Sequence, residues 1–115
     1  MVRRSYIPDE GDLVWLDFDP HAGREQGGRR PALVLSPIAY NRKTGLAVAC
    51  PITTHAKGYP FEVPIPAGLA VNGVILADHI KNIDLAARRA EAFGKAPAET
   101  MADVRHRIAV LIGIG

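Results

Sequence analysis

A chain of 115 residues, 48% apolar and 23% charged, suffices for one domain, residues 1–115, with a modest core, and is too apolar to stay disordered. Its net charge of +2 permits a nucleic-acid partner without requiring one, because clustering of Lys and Arg on one face matters more than their total. The single cysteine, Cys50, excludes an internal disulfide framework and a cysteine-based zinc site. No leader segment and no apolar run near the roughly 20 residues of a membrane helix is present, so the cytoplasm is the expected compartment, with no membrane partner.

Met1 to Gly11 is polar, with Pro8, Asp9 and Gly11, and reads as a lead-in closed by a turn. Asp12 to Phe18 is rich in β formers and predicts a strand. Leu13 and Trp15 alternate there with Val14, Leu16 and Phe18, so both faces should be covered, by a small barrel or a dimer interface, with Trp15 in the core. A loop of about ten residues follows, a length often functional in a compact domain, and it carries Glu25-Gln26-Gly27-Gly28-Arg29-Arg30 into a second strand, Pro31 to Ser36. Pro31 fixes its own dihedral and pushes Arg30 into an extended conformation, which holds that guanidinium at the strand mouth.

Pro37 and the run Tyr40 to Gly45 predict a turn, and Leu46 to Ile52 a third strand with Cys50 as a buried thiol. Thr53 to Pro60 is a second polar loop that opens from a core strand. Phe61 to Ile65 reads as an edge strand, since Pro64 cannot donate to a ladder, and Val74 to Ile80 as another strand after Asn72-Gly73. Leu85 to Ala92 has helical preference but is closed quickly by Gly94 and Pro97. A firmer helix starts at Pro97, has Glu99 in its first turn, repeats Met101, Val104, Ile108, Leu111 and Ile112 at helical spacing, and ends at Gly113. Its apolar stripe should cover one side of the sheet.

The chemistry concentrates in the two polar loops. Glu25, Arg29 and Arg30 beside a strand edge suit an anionic partner, since a guanidinium fork matches phosphate oxygens; a solvated loop whose charges pair with one another is the alternative. Tyr59 offers a stacking surface for unpaired bases, Phe18 either a stacking surface or a core side chain, and Lys57 a backbone contact. His55, two residues after Thr53, is placed to contact a ligand; His21 reads as an exposed loop residue, His79 as structural or at a dimer face, and His106 as solvated. Four scattered histidines lack metal-ligand spacing. Arg88 and Arg89 read as a solvated face.

The segments Pro8-Asp9-x-Gly11-Asp12-Leu13-Val14-Trp15-x-Asp17-Phe18-Asp19-Pro20 and Glu25-Gln26-x-Gly28-x-Arg30-Pro31-Ala32 come in order with several others. These are Leu35-Ser36-Pro37, Tyr40-Asn41-x-Lys43-Thr44-Gly45, Pro51-Ile52-Thr53-Thr54-x-x-Lys57-Gly58-Tyr59-Pro60-Phe61-Glu62-Val63, Gly73-Val74 with Leu76-Ala77-Asp78, and Val110-Leu111-Ile112-Gly113. Together they resemble the MazF/PemK family of toxin endoribonucleases over nearly the whole chain, least from about Ile65 to Asn72 and from Asp84 to Glu99. The resemblance implies a mainly β fold with α, an SH3-like β-barrel of the MazF/PemK/CcdB type, with a C-terminal helix packed on the sheet and a homodimer as the working unit. It implies a toxin of a type II toxin–antitoxin system that cleaves single-stranded RNA at short sequences without metal or cofactor, inhibiting translation and growth. Messenger, ribosomal and transfer RNA all remain open as targets.

By the same resemblance Arg30, Thr53 and Glu25 are the catalytic residues; Phe18, Gln26, Arg29, Thr54, His55, Lys57 and Asp78 are candidate RNA contacts, Asp78 by analogy with members of the family. Metal-free cleavage uses the neighbouring 2′-hydroxyl as nucleophile and leaves a 2′,3′-cyclic phosphate and a 5′-hydroxyl. Arg30 can clamp the nonbridging oxygens, Thr53 can position the phosphate, and the base is Glu25 or Arg30 itself. A cognate antitoxin, acidic and partly disordered, is expected to mask the RNA cleft. Two other classes stay open: a barrel that binds nucleic acid or protein without catalysis, and an inactive co-repressor that binds promoter DNA together with its antitoxin.

Overall fold

The computed structural model describes residues 6–17 and 28–114. Among them the chain runs β1 (Asp12–Asp17), β2 (Arg29–Val34), α1 (Ile38–Thr44), β3 (Leu46–Thr53), β4 (Glu62–Pro64), β5 (Val74–Leu76), β6 (Lys81–Asp84), α2 (Leu85–Arg88), β7 (Glu91–Lys95) and α3 (Ala98–Leu111). The strands form one antiparallel sheet in the order β4-β5-β3-β2-β1-β7, with β6 also paired to β3. This is the mainly β architecture with a C-terminal helix that the resemblance implies.

β3 changes partners along its length. Leu46 to Ala49 pair with β6 on one edge, while Ala49 to Pro51 pair with β2 on the other. Pro51 has no N–H to continue a ladder; the pairing with β2 stops there, while Ile52 and Thr53 pair with β5 on the opposite edge of β3. β4 is the edge strand beyond β5, where Pro64 costs no inner ladder bond.

Side chains alternate across β1, β2 and β3, so each strand feeds two apolar clusters. On one face Leu13, Leu33, Cys50 and Ile52 pack with Val63, Ile75, Ala77 and with Met101 and Val104 of α3. On the other, Val14, Leu16, Ala32, Val34, Ala47 and Ala49 pack with Ile83 and Leu85. Both faces of β1 are therefore covered, as its continuous apolar character predicts. Trp15 is only half-buried, its ring centroid 4.7 Å from that of Phe93.

Four expectations are corrected. Tyr40 to Gly45 is the end of a helix, not a turn: Pro37 starts α1, Gly45 closes it at φ 75°, and the Ile38 N–H donates to Asp9 Oδ1 at 2.9 Å. Fully buried Asn41 locks α1 to the lead-in by donating to the carbonyls of Pro8 (2.8 Å) and Ser36 (2.9 Å). The segment Val74 to Ile80 divides into β5 and a turn before β6, because β5 pairs with the C-terminal end of β3 and β6 with its N-terminal half. Leu85 to Ala92 is helical only to Arg88; Arg89 turns left-handed, and Glu91 to Lys95 pair with the open edge of β1, so tertiary pairing overrides helix preference. The stripe of α3 covers the sheet through Met101, Val104 and Ile108, whereas Leu111 and Ile112 are exposed.

Asp12 anchors the start of β1. It accepts from the Tyr6 hydroxyl, from the Asp9 N–H at 2.9 Å and from Lys95 Nζ at 2.9 Å. Burial alone would raise its carboxyl, but these donors hold it below the ordinary value; hydrogen bonding to Asp12 raises Lys95 in turn.

Candidate functional site

Strand register places both Arg30 and Thr53. β2 and β3 pair Val34 with Ala49, Leu33 with Cys50 and Ala32 with Pro51. Ala32 with Pro51 is the last pair of that ladder, and Arg30 and Thr53 each lie two residues beyond it, at the ends of β2 and β3. Alternation puts both on the face of Ala32, Val34 and Ala49, since Leu33, Cys50 and Ile52 occupy the other. A guanidinium and a hydroxyl thus share the rim of the smaller apolar cluster, with Arg30 exposed and Thr53 half-exposed.

Thr53 is held from two directions. Its hydroxyl oxygen accepts from the His55 N–H at 3.1 Å, which leaves its own proton to donate. Behind it, Gly73 has φ +116°, and a Cβ there would stand 2.2 Å from the Thr53 carbonyl oxygen. Only glycine fits that approach. The sequence shows Gly73 as a turn signal; its proximity to Thr53 depends on the β3–β5 pairing of Thr53 with Val74.

The exposed segment 54–60, which carries Thr54, His55, Lys57 and Tyr59, is organised by Glu62. That carboxylate accepts the Lys57 N–H at 2.9 and 3.1 Å and the Gly58 N–H at 2.9 Å. Arg107 of α3 donates to the Pro60 carbonyl, and the Lys57 ammonium lies 6.0 Å from the Tyr59 ring centroid. Glu62 and Arg107 were not singled out by sequence reasoning; a carboxylate on an exposed edge strand gives no local sign of the loop it caps.

The other candidates are dispersed. Arg29 faces away from Arg30 and donates to Asp17 Oδ1, the Arg89 carbonyl (2.6 Å), the Trp15 carbonyl (3.2 Å) and Glu91 Oε1 (3.3 Å). Arg88 and Arg89, expected to be merely solvated, both reach Asp17, through its carbonyl and its Oδ2 respectively. Asp78 lies on the turn after β5, near enough to Cys50 to add to the effect of burial, which pushes that thiol up to about 12. Cys50 is accordingly an inert core thiol. His79 Nε2 is 3.9 Å from Asp78 Oδ1, and His106 is exposed on α3. Phe18, His21, Glu25 and Gln26 lie outside the described residues. Among the described residues no group of three or more His, Cys, Asp or Glu is arranged to hold a metal ion.

Comparison with known proteins adds an independent line. Residues 9–112 match the family described as PemK-like, MazF-like toxin of type II toxin-antitoxin system. The chain is 51% identical over 113 residues to the endoribonuclease toxin MazF of Escherichia coli K12, covering 98% of this chain and all of that one. It is 33% identical to the endoribonuclease PemK of Escherichia coli, over 97% of this chain and 87% of PemK. Among solved structures, a MazE–MazF crystal structure from Deinococcus radiodurans superposes with a TM-score of 0.90 at 58% identity, covering 96% of this chain and all of that one.

Proposed function

Because the chain belongs to the PemK-like, MazF-like family of type II toxin–antitoxin toxins, we propose that it is an endoribonuclease toxin whose active rim is built on Arg30 and Thr53. The observation that supports this reading is the β2–β3 register, whose last pair, Ala32 with Pro51, leaves Arg30 and Thr53 each two residues beyond it on the face of Ala32 and Ala49.

The chemistry follows from the groups present. Arg30 binds the nonbridging oxygens of a phosphodiester, and its charge gains value as negative charge builds in the phosphorane, an effect of about 3 to 4 kcal/mol for a well-placed donor. Thr53, its hydroxyl oriented by His55, donates to the same phosphate and fixes its position. The 2′-oxygen attacks phosphorus, the bond from phosphorus to the 5′-oxygen breaks, and the 5′-oxygen takes up a proton. Glu25 takes the proton of the 2′-hydroxyl in this reading, and Arg30 is the other group of the motif that could exchange it. Segment 54–60 offers Thr54, His55 and Lys57 to the RNA backbone and Tyr59 as a stacking surface, and Phe18 and Gln26 are the further RNA contacts of this reading.

MazE–MazF complexes among the structural relatives support an antitoxin as partner, an acidic segment occupying the basic rim. Exposed Val110, Leu111, Ile112 and Ile114 at the end of α3 offer apolar surface for a homodimer. No helix of the described residues is long and apolar enough to cross a membrane, and the cytoplasm, where RNA is translated, is the proposed place of action.

The test is cleavage of a long single-stranded RNA by the purified chain in excess EDTA, with cut sites mapped and end groups analysed. Cuts at a repeated short motif, with cyclic phosphate and 5′-hydroxyl ends, are expected. Arg30→Ala should fall by about 10² to 10³ in kcat with its fold intact. A folded protein that leaves diverse RNAs whole overturns the reading.

A further inference from the structure

Arg29 and Arg30 are adjacent in sequence, yet the structure gives them different work. We propose that Arg29 is a positioning residue for Arg30, clamped by Asp17 and Arg89, and makes no contact with RNA; the inference rests on the ribonuclease reading above. Asp17 ends β1, Arg29 opens β2, and the two are partners in the register. The Arg29 guanidinium spreads over four acceptors, two carboxylates and two backbone carbonyls, that belong to β1, to β7 and to the corner between α2 and β7. Asp17 is used on both sides, with Arg29 on Oδ1 at 2.5 Å and Arg89 on Oδ2 at 3.4 Å, while Arg88 donates to its carbonyl at 3.4 Å.

The backbone at Arg89 is an independent sign. It is the one non-glycine with positive φ among the described residues, at φ 52°, ψ 54°, a conformation that disfavours side chains. That turn aims the Arg89 carbonyl at Arg29 while its guanidinium reaches Asp17. An isolated exposed ion pair contributes little, but a planar fork with four acceptors leaves its strand one position to occupy. Successive β2 residues point to opposite faces, so fixing Arg29 fixes the direction in which Arg30 leaves the strand. Arg29 has few donors left for phosphate.

The experiment measures kcat, KM and the salt dependence of RNA binding for wild type, Arg29→Ala, Asp17→Asn and the double variant, with thermal unfolding as the check on folding. Both single variants should lose about tenfold or more in kcat, as misplaced catalytic groups do, with KM and salt slope unchanged, and the double variant should be no worse than the weaker single. Where alanine fails to fold, Arg29→Gln serves, which can still reach the Arg89 carbonyl, and its salt slope should equal that of wild type. An Arg29 variant that raises KM and flattens the salt slope by about 0.7, the share of one phosphate contact on a single strand, overturns the inference in favour of direct binding. Single variants with wild-type kcat also overturn it. A wild type that does not cut RNA overturns the functional reading and this inference together, whereas a cutting wild type confines any failure to the inference.

Discussion

The two faces of the β1–β2–β3 sheet are built to different standards. The face against α3 joins Leu13, Leu33, Cys50, Ile52, Val63 and Ile75 to Met101 and Val104, large side chains enclosed by a helix of 14 residues. The opposite face uses Ala32, Ala47 and Ala49 among its members and is closed by Ile83, Leu85 and the four-residue α2. Arg30 and Thr53 extend from this lighter face. The helix-covered side of the sheet is thus the more heavily packed, and the lighter one carries the proposed rim of Arg30 and Thr53.

The sharpest way to break that contrast is on neighbouring residues of β2. Leu33→Ala, on the helix-covered face, should cost about 2 to 5 kcal/mol in denaturant unfolding, through lost burial and the cavity left behind. Val34→Ala, equally buried on the lighter face, should cost about 2 kcal/mol, from two lost methylene equivalents and a smaller void. Equal losses would mean that the faces do not differ in the way argued here.

Gly73→Ala tests the rim itself. The added Cβ meets the Thr53 carbonyl and the residue keeps a left-handed φ, so about 1 to 3 kcal/mol of stability should be lost. Cleavage per folded molecule should fall further than stability does, since Thr53 must move. A folded Gly73→Ala protein with wild-type kcat would remove Gly73 from the support of the site.

The smallest effect belongs to the anchor at the start of β1. Asp12→Asn should cost about 1 kcal/mol at neutral pH. The Asp12 carboxyl is held below its ordinary value, so its contribution is complete above the unfolded carboxyl pKa of about 4 and is lost as pH falls through the folded value. Lys95 is raised, so its contribution is complete below the unfolded pKa of about 10.4 and is lost as pH rises through the folded value. Unfolding free energies of wild type and variant should therefore converge on acidification. A gap that stays constant from pH 7 to strong acid would refute this account of Asp12.

Much was legible in the sequence where physics is local. Strands β1 and β3, the edge character of β4 and the helix starting after Pro97 all follow from apolar runs, proline chemistry and helical spacing. The α1 helix was legible too, in Pro37 and Gly45 at its two ends, but the turn-forming residues between them outweighed those signals. Nothing near Val74 to Ile80 reveals that β3 takes β5 at one end and β6 at the other, and so nothing there shows where one apolar run must divide.

The same line divides the candidate site. Sequence alone determined the reactive residue types, the motifs that carry Arg30 and Thr53, and the two polar loops opening from core strands, because each depends on neighbours in the chain. Tertiary structure alone decided that Arg30 and Thr53 both lie just beyond the last β2–β3 pair, that Gly73 backs Thr53, and that Arg29 is absorbed by Asp17, Arg89 and Glu91. Those relations join residues 12 or more positions apart, and strand register is set by the packing of the whole core.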